Sequence, residues 1–210
     1  MSETQRLDAF TDASFAFALS LLVIGQGKIP TRIEELRAEM ADVPAFAIGF
    51  AMIAMFWFAH VRWRSLRGKG GPLSVLLTLM LIFVVLIYVK PLQAMALSLS
   101  AFLGGSGTRF EGGIAPMFFI YSGGFAVMSF LVGALFLETA LQRHPAPAPT
   151  RILARGEAAI WLLISLTGVV SMLLAVSPYR DLAPWVYALL PLLLGLFIWR
   201  YPWPDAAPAS

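Results

Sequence analysis

Apolar residues in this chain come in long runs, and charge is confined to the gaps between them. Uncharged stretches cover Ala13–Gly27, Val43–Val61, Gly70–Val89, Gly112–Leu137, Ala158–Tyr179 and Leu182–Trp199. Each approaches the roughly 20 residues, at about 1.5 Å apiece, that carry a helix across a hydrocarbon core about 30 Å thick. The pattern predicts an all-α polytopic membrane protein, a single unit over residues 1–210 with both termini on one side. Its six transmembrane helices are expected at about 8–27, 43–61, 70–90, 112–138, 158–179 and 182–200. A further apolar piece, Pro91–Leu103, is too short to span before the cluster Gly104-Gly105-Ser106-Gly107 ends it. It reads as an extension or re-entrant segment after the third helix.

The positive charges give the chain a direction. With the N-terminus in the cytoplasm, the inner side holds Arg6, Arg62, Arg64, Arg67, Lys69, Arg143, Arg151, Arg155 and Arg200. The outer side holds Lys28, Arg32, Arg37, Lys90, Arg109 and Arg180. The run from Arg62 to Lys69 is basic and free of acids, the form of loop that resists translocation, so both termini are expected to be cytoplasmic. Pro145-Ala146-Pro147-Ala148-Pro149 reads as a semi-rigid spacer between the fourth and fifth helices.

Composition agrees with a lipid solvent. The chain is 59% hydrophobic and 13% charged with a mean hydropathy of +0.79, whereas soluble domains carry about 25% charged residues. The net charge of +3 sits in short loops and not on one interleaved face, which argues for membrane topology and against nucleic acid. With no cysteine there is no disulfide framework and no thiolate site. Met1 to Asp12 is mixed in charge and runs into a helix without a small-residue cleavage site, so no signal peptide is expected.

Chemistry concentrates at the first helix. Its uncharged part is only about 22 Å long, so Asp12 is drawn close to lipid and should face protein or water with a partner, Arg6 and His60 being the candidates. A plainer reading makes Thr11 and Asp12 a helix start, with an acid near the positive end of the dipole. Ser14, Phe17, Leu21 and Ile24 recur at spacings of three, four and three, which sets them on one stripe, with Ser20 just beside it. Periodicity alone reads such a stripe as ordinary apolar contact with other helices or lipid.

Elsewhere the sequence is quieter. His60 and His144 lack a neighbouring carboxylate at ligand spacing, and Ser106 lacks the strand and helix of a nucleophile elbow, so neither a metal site, a cofactor nor an enzyme is expected. Gly123, Gly124 and Gly133 read as points of close helix packing, Glu138 and Glu157 as helix-end charges near the basic cluster, and Trp161, Trp185, Trp199 and Trp203 as an aromatic belt.

Arg6-Leu7-Asp8-Ala9-Phe10-Thr11-Asp12, followed by Ala13-Ser14-Phe15-Ala16-Phe17-Ala18-Leu19-Ser20-Leu21-Leu22-Val23, resembles the R-x-x-x-F-[S/T]-D signature and first helix of the transmembrane protein 175 family, the lysosomal potassium channels and their prokaryotic relatives. Phe56-Trp57-Phe58-Ala59-His60 is similar to the family's second-helix ending, and Pro91 to the proline after its third helix. The resemblance spans most of the chain but is specific in helices one and two. It implies a homotetrameric potassium channel in a prokaryotic plasma membrane, lined by the first helix of each subunit, with potassium ions, lipid and other copies of the chain as its partners.

On the same resemblance, selectivity comes from a hydrophobic constriction at the positions of Phe17, Leu21 and Ile24. Arg6, Phe10, Thr11, Asp12, Trp57 and His60 are carried over as the packing cluster that holds the pore helix. No T-V-G-Y-G-like filter occurs in the chain. Three positions depart from the family pattern: Phe17 replaces an aliphatic residue, Ala13 a common glycine, and Val61 stands where many prokaryotic members have a second histidine. Two other readings stay open, a proton pathway or proton-coupled transporter using Asp12 and His60, and a non-conducting protein in which Phe17 blocks the pore.

Overall fold

The structure is a computed structural model, described here for residues 3–24, 31–68, 70–103, 114–142 and 147–204. The described residues form α1 (Glu3–Ile24), α2 (Ile33–Ala41), α3 (Val43–Arg67), α4 (Pro72–Leu103), α5 (Ile114–Ala140), α6 (Ala148–Ala175) and α7 (Leu190–Arg200). Short 3-10 turns at Arg180–Leu182 and Pro184–Leu189 lead from α6 into α7. The predicted runs overlap α1, α3, α4, α5, α6 and the segment ending in α7, but α6 already starts at Ala148, inside the expected Pro-Ala spacer, the run 182–200 is α-helical only from Leu190, and α2 has no counterpart among them. Its polar sequence and nine-residue length kept it below the reach of a search for apolar runs.

Among the described residues, five stretches are long and apolar enough to cross a membrane: Val43–Arg67, Pro72–Ser98, Pro116–Ala140, Ala148–Ala175 and Arg180–Arg200. α1 differs in composition, because Glu3, Arg6, Asp8 and Asp12 occupy its first half. α4 continues through Pro91 for 32 residues, so Pro91–Leu103 is an extension of that helix and not a re-entrant piece.

α5 and α6 form the tightest pair, and glycines explain their closeness. A Cβ on Gly168 would stand 3.1 Å from the Ser122 carbonyl and 3.2 Å from Ala126 Cα, and one on Gly133 3.0 Å from Leu162. Hydroxyls then join the two helices across the close contact, with Ser165 donating to the Ala126 carbonyl at 2.8 Å and Ser122 to Ser171 at 3.0 Å. Small residues that let backbones approach are how membrane helices associate when lipid removes the hydrophobic drive.

α3 and α4 pack beside this pair. Phe56 meets Phe125 edge-on and lies 5.5 Å from the Trp161 ring, while Trp63 is fully buried and donates to Thr139 at 3.0 Å. Tyr88 covers Gly124, where a side chain would overlap its ring at 2.3 Å, and donates to the Tyr121 carbonyl at 2.7 Å. α7 stands at the periphery: Leu192, Leu196 and Trp199 are all largely exposed.

Candidate functional site

α1 packs on the bundle by one stripe, Thr11, Phe15, Ala18 and Leu22, whose exposures are 0, 2, 0 and 1%. Leu22 presses on Gly49 of α3, and Gln93 of α4 donates to its carbonyl at 3.3 Å. The opposite face, formed by Ala9, Phe10, Ala13, Ala16, Phe17 and Ser20, is open in the single chain. Phe17 is 56% and Phe10 53% exposed.

The predicted stripe lies on the flank of that face. Ser14 and Leu21 are half-buried, and Leu21 leans on the core, whereas Ser20 is exposed. Ile24 ends α1, and its side chain lies outside the described residues. Ser14 and Ser20 both turn their hydroxyls back onto the helix, to the carbonyls of Phe10 at 2.7 Å and Ala16 at 3.0 Å.

The carried-over cluster divides in two. Trp57 of α3 donates to Asp12 Oδ1 at 2.9 Å, so the indole, and neither Arg6 nor His60, holds the carboxylate. His60 is buried, 3.3 Å from the Thr78 hydroxyl of α4, with its ring 5.1 Å from that of Trp63. Thr11 is buried and donates to the Leu7 carbonyl at 2.8 Å. Arg6 and Phe10 are exposed. Trp57 stands ten residues, about 15 Å of helix, from the Arg67 end of α3. Arg62, where the charge-free run of α3 ends, is five residues or about 7.5 Å from Trp57, so Asp12 is held just over one turn inside that boundary.

Below this pair, three arginines of α3 each reach a different helix, an arrangement that the basic run alone did not reveal. Arg64 lies 2.7 Å from Asp8 of α1, Arg67 forms a fork of two 2.8 Å hydrogen bonds with Glu138 of α5, and Arg62 donates to Glu157 of α6. The Arg67 and Glu138 side chains are 12 and 14% exposed, and Ser74 of α4 adds a 3.2 Å bond to the same carboxylate. Glu138 and Glu157, read in the sequence as helix-end charges, are thus bonded partners of the basic run. Among the described residues no group of three or more His, Asp or Glu could hold a metal ion.

Long apolar helices, with three interhelical ion pairs gathered at one end of α3, define a polytopic α-helical membrane protein with an open face on its first helix. The family model described as endosomal/lysosomal potassium channel TMEM175 matches residues 6–88, the region that holds this face, the Asp12–Trp57 pair and His60. A protein of Marivirga tractuosa named "Potassium channel" is 41% identical over 100 residues, which make up 48% of this chain and 40% of that relative's length. A variant of the potassium channel MtTMEM175, crystallised with a nanobody-MBP fusion, superposes with a TM-score of 0.81 at 25% identity, covering 91% of this chain and 90% of the other. A TMEM175 homolog from Chamaesiphon minutus shares the fold at a TM-score of 0.64 and 21% identity, over 96% of this chain and 100% of that one. The chain is thus similar to TMEM175 potassium channels in sequence over residues 6–88 and in fold over nearly its whole length, while it spans less than half of the Marivirga relative.

Proposed function

We propose that the chain assembles as a homotetrameric, potassium-permeable leak channel whose pathway runs along the open face of α1. The observation that carries this reading is the two-sidedness of α1, sealed to the bundle by Phe15, Ala18 and Leu22 yet open at Phe17 and Ser20. Asp12 adds to it, because a carboxylate at membrane depth must turn to water or protein and not to hydrocarbon. Four copies around an axis would give that face both. Ala13 and Ala16 would let neighbouring helices approach, Phe17 would ring the pathway as its constriction, and Ser20 would stand beside it. Leu21 and Ser14 flank this line and Ile24 continues it toward the outer end. Asp12 with Trp57, and the buried Thr11 and His60, keep the role of setting the pore helix against α3 and α4, whereas Arg6 and Phe10 stand on exposed positions of α1 and are left to contacts between copies.

The names of the two potassium-channel relatives support potassium as the permeant ion. The proton-pathway reading has less support, since Asp12 bonds to Trp57 while His60 faces Thr78, so the two groups of such a relay have different partners. The test is flux through the purified protein in liposomes, with potassium, sodium and protons compared. Potassium movement above that of sodium and protons is expected. Proton flux without potassium flux would replace the channel by the proton pathway.

A further inference from the structure

α2 leaves its apolar side open. Ile33, Leu36 and Met40 are 57, 44 and 62% exposed, and spacings of three and four place them on one stripe. Arg32 and Arg37 border that stripe, while Glu34, Glu35 and Glu39 fill the rest of the helix surface. The N-terminus is closed within the element itself, since the Glu35 carboxylate accepts the backbone N–H groups of Thr31 at 2.9 Å and Arg32 at 3.3 Å.

Three observations say what covers the stripe. The first is height. The uncharged run of α3, Val43 to Val61, is about 28 Å long, so with Arg62 at one boundary of the hydrocarbon Val43 stands at the other. α2 ends at Ala41, with Asp42 alone between it and Val43, so its C-terminal end stands at the level of the lipid headgroups. The second is phase. Asp42 stays right-handed, with φ −87° and ψ −3°, and the stripe runs on through Val43, Ala47 and Phe50, which are exposed on the outward side of α3. Pro44 has no N–H to give to the Met40 carbonyl, so the chain can bend here. A bend toward the outward side turns the stripe down onto the membrane. The third is charge: Arg32 and Arg37 stand at the two borders of the apolar stripe, where phosphates lie, Glu39 beside Arg32, and Glu34 and Glu35 on the far side of the helix.

We propose that α2 is an interfacial helix whose partner is the lipid surface of the leaflet opposite the Arg62–Arg67 cluster. Ile33, Leu36 and Met40 enter the boundary between headgroups and acyl chains, Arg32 and Arg37 meet lipid phosphate, and the glutamates face water. The short helix needs no high affinity of its own, because α3 already tethers it at the surface. The interaction does not depend on ion conduction and stands or falls apart from the channel reading.

The chain has no cysteine, so single nitroxide labels at L36C, M40C and E35C can be read without background. In vesicles of phosphatidylcholine and phosphatidylglycerol, the labels at 36 and 40 should be several-fold more accessible to oxygen than to a water-soluble nickel chelate, with the ratio inverted at 35. Equal nickel access at 36 and 35 would place the stripe in water and overturn the proposal. Exclusion of both reagents at 36 and 40, with dipolar broadening between labels, would assign the stripe to a second copy of the chain and overturn it equally.

Discussion

Phe17 is the residue at which this chain departs most from the pattern it resembles, and the structure leaves its ring open on α1. On the proposed reading, four benzyl groups meet at one level of the pathway, bulkier than an aliphatic ring, and such a constriction closes by expelling water. The wild type should conduct weakly. Phe17→Ala should raise potassium flux in liposomes and weaken its preference over sodium, and Phe17→Leu should restore that preference. Phe83 of α4, 64% exposed and on another helix, is the suitable control, since the 2% exposed Phe15 would lose core packing on truncation. If wild type, Phe17→Ala and Phe83→Ala conduct alike, Phe17 does not line the pathway.

A second prediction at this scale concerns Arg67 and Glu138. Both are largely buried and doubly bonded, so truncating one strands the other. Glu138→Ala should cost roughly 3–5 kcal/mol, read as a clear drop in melting temperature in detergent. Arg62→Ala removes a half-exposed partner and should cost much less, roughly 0–1 kcal/mol. Equal losses for the two would mean that the burial of the Arg67 pair is not what matters.

At the scale of elements, α3 is the connector. Its C-terminal end sends Arg64 to α1, Arg67 to α5 and Arg62 to α6, and its middle holds Asp12 of α1 through Trp57. Trp57→Phe keeps most of the ring area but removes the donor, leaving the carboxylate without its hydrogen bond at membrane depth. We expect a lower melting temperature and a reduced yield of the assembled species on size exclusion, with Trp57→Phe and Asp12→Ala both lowering it. If neither shifts, Asp12 serves only as part of the helix start. Between α5 and α6, by contrast, backbone proximity dominates. Gly168→Ala puts a methyl 3.1 Å from a carbonyl and 3.2 Å from a Cα that cannot rotate away, and overpacking of this kind costs about 1–3 kcal/mol. Gly195, with nothing within 4 Å, should accept alanine without loss.

For the whole molecule, the prediction is topological. The ion pairs gather at the Arg67 end of α3, and α2 adjoins its other end. Single cysteines at Ser65 and Glu39, both exposed, should react with an impermeant maleimide from opposite sides of a sealed vesicle, Ser65 from the cytoplasmic side. Labelling of both from one side would mean that α3 does not cross. The same architecture accounts for the large apolar surface of the single chain: Phe83, Phe130, Leu173, Leu192 and Trp199 are all more than half exposed, which in water would be untenable and in lipid is ordinary.

The sequence by itself determined the solvent, the positions of the long helices and the signature of α1 and α3. Hydrocarbon thickness fixes run length and buried charge is rare in it, so a chain that obeys those limits displays them in its composition. Several features were decided only in three dimensions. That Asp12 takes Trp57 and not Arg6, 45 residues away in one case and six in the other, depends on how α1 and α3 lie against each other. That Arg67 meets Glu138 across 71 residues, and that the open side of α1 centres on Ala13, Phe17 and Ser20 while Leu21 leans inward, follow from which stripe the neighbouring helices cover. Helical periodicity places residues on a common face, but nothing in one helix says which of its faces the rest of the chain will bury, because that is set by the packing of its neighbours.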